Sequence, residues 1–206
     1  MTRGAWITFE GGDGSGKTTQ AELLRDWFEQ QGRRVVRTRE PGGTEVGATI
    51  REIVLHSRGE LGDRAEALLF AADRAHHIDT LVRPALERGE VVIQDRYLDS
   101  SVAYQGAARS LGADEVRELS MWATDGALPD VTVLLDLDPA EARRRLDAED
   151  KPFDRLEAEK AEFHVRVREA FLALAAAEPE RFLVVDATLS REEIQARIRA
   201  RLTPLT

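Results

Sequence analysis

No cysteine occurs among the 206 residues, which removes disulfides, thiolate catalysis and cysteine-ligated zinc together. No asparagine occurs either, so the N-K-x-D segment through which guanine-nucleotide switches select their base is excluded. The chain lacks any apolar run of membrane-spanning length, and Met1-Thr2-Arg3-Gly4-Ala5 leads straight into an apolar stretch. A membrane is therefore not an expected partner, and the cytoplasm is the expected location. Positive charge is in deficit: 29 Lys and Arg stand against 38 Asp and Glu, a formal charge of −9. A sequence-independent nucleic-acid binder needs a basic face, so nucleic acid is not expected either. Of the four histidines, His76 and His77 are adjacent and would diverge on a helix rather than share a metal. With 42% hydrophobic and 33% charged residues, the chain can bury one core beneath a busy surface. Its length suits a single domain over 1–206 with a short lid.

What is present is concentrated in Gly11-Gly12-Asp13-Gly14-Ser15-Gly16-Lys17-Thr18-Thr19. The pattern G-x-x-x-x-G-K-[ST] is filled by Gly11, Gly16, Lys17 and Thr18. Glycines let the backbone wrap closely round an anion, so that successive N–H groups point at phosphate oxygens. Lys17 would reach the outer phosphates and the Thr18 hydroxyl would ligate Mg²⁺. Apolar Ala5-Trp6-Ile7-Thr8-Phe9 reads as a buried strand ahead of the loop, and an amphipathic helix over 18–31 opens behind it. Strand, loop and helix together predict a nucleotide-binding site.

The rest of the chain repeats that alternation. Further strands are predicted over 35–38, 91–95, 131–136 and 182–186, each short and apolar. Helices are predicted over 46–55, from 63 with a kink or restart at Pro84, over 100–106 and 113–124, and again round Phe163, Val167, Phe171 and Leu174. Asp138-Pro139-Ala140-Glu141 and Ser190-x-x-Glu193 carry helix-start signals. Five strands alternating with helices imply an α/β fold: a parallel sheet covered on both faces. Arg39, Arg74, Arg96 and the cations of 143–155 fall past strands or near the sheet's carboxyl edge, where ligands bind in open α/β sheets. Asp95 ends a central strand and either holds Mg²⁺ through water or caps the next segment.

These segments resemble the thymidylate kinases of the P-loop nucleoside-monophosphate kinase group. The resemblance is carried by Phe9 through Thr19, by Thr38-Arg39-Glu40-Pro41-Gly42-Gly43-Thr44 and by Leu68 through Arg74. Asp95-Arg96-Tyr97, Ser100 through Gly106 and Asp154-Arg155-Leu156-Glu157 extend it in family order over nearly the whole chain. It implies a P-loop kinase fold with a short lid, ATP as donor, dTMP as acceptor, Mg²⁺ as cofactor and a homodimer. ATP would lie on residues Gly11 to Thr19, with Mg²⁺ at Thr18 and Asp95. Asp13 would hold the deoxyribose 3′-hydroxyl, and Arg39 and Arg96 would grip the acceptor phosphate. Phe70 (alone, it reads as core) would stack on thymine while Arg74 bonds the base carbonyl. Gln105 would pair with the base edge. Tyr104 would crowd the position of a ribose 2′-hydroxyl, and Ser100 and Ser101 would line the pocket.

The resemblance further implies a catalytic set of Lys17, Asp13, Arg96 and a lid cation. One subgroup places an arginine immediately after the loop aspartate, where this chain has Gly14. Arg143, Arg144, Arg145, Lys151 and Arg155 are the lid candidates, with Arg144 or Arg155 expected to contribute. Two rival functions make different predictions: a P-loop kinase of another nucleotide or a deoxynucleoside, and a regulatory ATP-binding module with no small acceptor.

Overall fold

The computed structural model describes residues 4–57, 59–148 and 152–203. Five parallel strands form one sheet: β1 (Trp6–Glu10), β2 (Val35–Arg39), β3 (Val91–Asp95), β4 (Val131–Asp136) and β5 (Phe182–Asp186). Their spatial order is β2-β3-β1-β4-β5, so β1 is central and the chain reverses direction across the sheet beside it. Ligands of such sheets bind at the carboxyl ends next to that reversal, which is where β1 runs into Gly11. The strands over 91–95, 131–136 and 182–186 coincide with the sequence reading; the first is shifted by one residue and the second extends to Arg39.

The period of two in β1 sorts its side chains between the faces of the sheet. Ile7 and Phe9 join one apolar cluster with Leu24 and Phe28 of helix α1 (Lys17–Gln30) and Ile194 and Ile198 of helix α9 (Arg191–Leu202). Trp6 lies on the opposite face, with Val92, Ile78, Tyr97 and Leu98. Thr8 and Glu10 share that second face by alternation and are fully buried. Thr8 pairs its hydroxyl with that of Thr132 at 2.9 Å, so its burial leaves no unmet bond.

The helices between strands are α2 (Glu45–His56), α3 (Asp63–His77), α4 (Arg83–Glu87), α5 (Leu98–Ser101), α6 (Ala113–Ala123), α7 (Pro139–Asp147) and α8 (Ala161–Ala177). Both helix-start signals operate. Asp138 accepts from the Ala140 N–H, and Ser190 with Glu193 forms a complete capping box. Pro84 restarts the helix rather than ending it: a π-helical segment, Ile78–Val82, joins α3 to α4. A second π-helical segment, Val102–Ala108, replaces most of the helix expected over 100–106. Its i→i+5 pattern keeps residues four and five apart on one face, which bears on the site below. Among the described residues no helix is long and apolar enough to cross a membrane.

Candidate active site

The phosphate loop closes through glycines in conformations side chains resist. Gly14 and Gly16 have φ of 76° and 91°, and Gly16 is the left-handed residue that turns the loop into α1. At Gly14 a Cβ would also lie 2.9 Å from the Ala142 carbonyl oxygen, so its absence lets α7 sit directly on the loop. Lys17 folds back across that loop. Its ammonium donates to the carbonyls of Gly11 at 3.1 Å and Gly12 at 2.8 Å. Burial, then the neighbouring Arg96, draw the Lys17 pKa below its ordinary value, opposed by Asp13 and Asp95. Thr18, one position on, donates its hydroxyl to Asp95 Oδ2 at 3.0 Å, joining the start of α1 to the end of β3. The other oxygen, Asp95 Oδ1, is buried with no hydrogen-bond partner. A buried acceptor beside a loop hydroxyl suits a Mg²⁺ shared with phosphates, which needs only one or two protein ligands. No cluster of three or more His, Cys, Asp or Glu fit for a metal exists among the described residues.

Arg96 is the junction of the site. It sits just past β3 with φ of 66°, a left-handed conformation costing about 1–2 kcal/mol for a side chain with Cβ. The end of β1 holds it there: the Arg96 N–H donates to the Phe9 carbonyl at 2.9 Å. Its guanidinium donates to Asp13 Oδ1 at 2.5 Å, Ser100 Oγ at 3.0 Å, the Gly11 carbonyl at 3.1 Å and the Tyr104 hydroxyl at 3.3 Å. Tyr104 in turn donates to Asp13 Oδ2 at 3.3 Å. Burial alone would raise the Asp13 pKa, but Arg96 and Lys17 outweigh it and hold the carboxyl well below the usual carboxylate range. A negative charge inside an anion-binding loop is thereby kept by two cations.

Two cavities meet at this pair. An open cleft contains Lys17, Thr18, Asp95 and Arg39. A narrower cavity is walled by Phe70, Arg74, Ser100, Ser101, Tyr104 and Gln105. Asp13 and Arg96 line both. The widened π-turn is what brings the Ser100, Ser101, Tyr104 and Gln105 wall together. Every acceptor-side residue named from the sequence therefore lies on one or both of these spaces, Arg39 on the cleft alone. Arg74 is 1% exposed and donates to Glu40 Oε2 at 2.9 Å, the Ser120 and Ser101 hydroxyls at 3.0 Å and the Tyr97 carbonyl at 3.3 Å, four of its five N–H bonds. Gln105 donates its amide to Glu66 Oε1 at 2.8 Å.

The lid cations are placed differently. Arg143 pairs with Asp147 at 3.0 Å and its guanidinium lies 4.0 Å from the Phe153 ring centroid. Arg144 is 76% exposed and pairs with Glu141; Arg145 reaches Glu141 at 3.1 Å and the Ala187 carbonyl at 3.1 Å. Arg155 pairs with the buried Glu66 and donates to the Val54 carbonyl at 3.0 Å, which puts it behind the narrower cavity rather than over the loop. Neither Arg144 nor Arg155 lines the cleft that holds Lys17. Lys151 lies outside the described residues.

Sequence reasoning missed the supporting carboxylates and one cation. Glu40 bonds Arg74, His77 Nδ1 at 2.8 Å and Gln94 Nε2 at 3.0 Å, at a cis Glu40–Pro41 peptide. Glu10 and Glu66 are likewise fully buried. A carboxylate closing the otherwise uncharged run Trp6-Ile7-Thr8-Phe9 was a readable signal for Glu10. Arg51 of α2 lines both cavities and donates to the Pro41 carbonyl at 3.1 Å. Burial and then the nearby Arg39 push its pKa down, the mark of cations gathered on one space. Only the tertiary approach of α2 reveals it.

Known proteins place this architecture. The family described as thymidylate kinase matches residues 9–198. A thymidylate kinase of Clavibacter sepedonicus is 71% identical over 198 residues, 96% of this chain and 94% of that one. One from Deinococcus radiodurans is 49% identical, with 96% of each chain covered. The crystal structure of thymidylate kinase from Ehrlichia chaffeensis matches with a TM-score of 0.78 at 32% identity, over 98% of this chain and 99% of that one.

Proposed function

The chain belongs to the thymidylate kinase family, and on that premise we propose that it transfers the γ-phosphoryl group of ATP to dTMP, giving dTDP and ADP. The observation that carries this reading is the Arg96–Asp13 pair lining both the phosphate-loop cleft and the narrower cavity. A donor in the cleft and an acceptor in the cavity would present their phosphates to each other across that pair.

The attacking group is a phosphate monoester whose second pKa is about 6, so at neutral pH it is mostly a dianion. No side chain has to remove a proton. The barrier is repulsion between two polyanions, which fixed cations in a closed site reduce. Lys17 and the loop N–H groups would hold the donor phosphates; Arg96, Arg39 and Arg51 would hold the acceptor phosphate. Thr18 and Asp95 would hold Mg²⁺, which would supply further neutralisation of the donor's negative charge. Phe70 would stack on thymine, with Arg74 and Gln105 at its polar edge. Asp13 would accept from the 3′-hydroxyl, and Tyr104, fixed by Asp13 and Arg96, would leave no room for a 2′-hydroxyl. A cation of the lid, Arg144 first, would complete the site when it leaves Glu141.

The same reading takes the chain as one domain over 1–206 with its lid over about 143–155, acting in the cytoplasm as a homodimer. The dimer is supported by exposed apolar side chains on two adjoining helices, Leu68 of α3 (57% exposed) and Trp122 of α6 (83% exposed). The test of function is ADP release measured across dTMP, dUMP, UMP, CMP, AMP and GMP. Fastest turnover with dTMP is expected. Fastest turnover with another monophosphate would favour a different nucleotide kinase, and slow hydrolysis indifferent to all six would favour a regulatory ATP-binding module.

A further inference from the structure

Glu10 takes no part in the chemistry outlined above, yet it is fully buried beside the residue on which that chemistry turns. Alternation along β1 points it to the face of the sheet where the chain leaves β3. There Glu10 Oε1 accepts from the Tyr97 N–H at 2.8 Å and the Ser100 N–H at 3.2 Å, and Oε2 accepts from the Ser100 hydroxyl at 2.6 Å. Tyr97 is the residue immediately after Arg96. Ser100 Oγ is itself an acceptor of the Arg96 guanidinium at 3.0 Å. One carboxyl thus grips both the backbone that leaves the left-handed Arg96 and the hydroxyl that orients its guanidinium.

We propose that Glu10 is a positioning residue for the acceptor phosphate, acting through Tyr97 and Ser100 to hold Arg96 in its left-handed conformation and aim its guanidinium at the junction of the two cavities. This rests on the function proposed above and deepens it. The arrangement is directional. A hydroxyl that accepts from Arg96 must send its own proton elsewhere, and among the described residues its acceptor is the ionised Glu10 Oε2 at 2.6 Å. The charged groups acting on Glu10 are Asp99 of α5, Arg96 after β3 and Lys17 of α1. Asp99 is itself neutralised by Arg181, which donates to both its oxygens at 2.7 and 2.8 Å. Burial and then Asp99 push the Glu10 carboxyl up to about 8, so the relay runs in this direction above that pH, whereas below it the carboxyl holds a proton of its own.

The test, run at about pH 9 where Glu10 is ionised, uses the isosteric Glu10→Gln, which keeps an oxygen for the two N–H groups but offers an amide where the Ser100 hydroxyl needs an acceptor. The KM for dTMP is expected to rise about tenfold, that of buried polar mispairing, while the KM for ATP stays within about twofold. Ser100→Ala is expected to raise the dTMP KM similarly, and the double variant to add little, because both act on one relay. A readout independent of substrate is the ¹⁵N spectrum of the Arg96 guanidinium, assigned with Arg96→Lys. Distinct, slowly exchanging side-chain signals are expected in the parent and averaged ones in Glu10→Gln. Unchanged Arg96 signals, or fully additive Glu10→Gln and Ser100→Ala effects, would overturn the proposal. Averaged signals combined with a parent that ignores dTMP would uphold the relay and overturn the function.

Discussion

The cavity behind Arg96 and the lid helix above the loop are both rich in arginine, yet their cations are held in opposite ways. Arg74 is buried and makes four hydrogen bonds, to the residue after β2, to α6 and to the segment that runs from Tyr97 into α5, with Glu40 as its counter-charge. Arg143 and Arg144 lie on an exposed helix and pair with carboxylates three and four residues away on that same helix. Breaking a buried pair leaves an uncompensated charge and costs several kcal/mol, whereas exposed i,i+3 or i,i+4 pairs contribute about 0.3–0.5 kcal/mol. The acceptor side is therefore fixed before a ligand arrives, while the lid cations can exchange partners at little cost. On the proposed function, selection of the base would fall to the rigid wall and completion of the phosphoryl-transfer site to the exchangeable cations.

The sharpest break in this contrast is Arg96→Ala, expected to lower turnover of dTMP by about three orders of magnitude while ATP binding changes by less than about threefold. Steady-state kinetics with equilibrium ATP titration checks it; near-normal turnover would mean the junction is misassigned. Arg74→Ala should weaken dTMP binding and also lower stability by about 3–5 kcal/mol, because Glu40 is left buried without its guanidinium. Denaturant unfolding reads that directly, and a change below about 1 kcal/mol would show that the wall is not preformed. Arg144→Ala should do the reverse: stability within about 0.5 kcal/mol of the parent, and kcat reduced by about ten- to a hundredfold. An unaltered kcat would transfer the lid role to another cation.

A separate effect is on the pH dependence of stability. Glu10 and Asp73 have carboxyls raised to about 8 and about 6, in both cases by burial first, then by Asp99 and Glu40 respectively. A raised carboxyl binds a proton more tightly in the folded than in the unfolded chain, so its contribution is complete below the unfolded value and declines as pH rises through the folded one. Unfolding free energy should therefore fall from about pH 4.5 to 8. Glu10→Gln should flatten the upper part of that fall, and Asp73→Asn the part below about pH 6. A slope unaltered in both variants would contradict the assignment.

The two regions also differed in how far the sequence disclosed them. Alternating apolar runs were enough for the sheet, because a parallel strand buried on both faces leaves an uninterrupted hydrophobic signature. The glycine spacing before Lys17 revealed the loop for a similar reason: the geometry needs those residue types at that spacing. Phe70 and Arg74, four apart on α3, could be set on one face by helical periodicity alone. Arg51, Glu40 and Glu66 could not, since their partners lie on other segments and no local pattern links them. The π-helical Val102–Ala108 was also illegible, because one extra residue per turn leaves a helical composition unchanged. For the lid, a count of candidate arginines carried no information on which carboxylate each would meet. Of the two expected contributors, Arg155 pairs with Glu66 beside the cavity wall and Arg144 with Glu141 on its own helix.

The central claim, an acceptor wall complete before its ligand binds, is tested most directly by a crystal structure with dTMP alone. The account predicts thymine between Phe70 and Gln105, with Arg74 still bonded to Glu40 and the Arg144–Glu141 pair intact. A vacant cavity, or a base bound only after Arg74 has left Glu40, would contradict it.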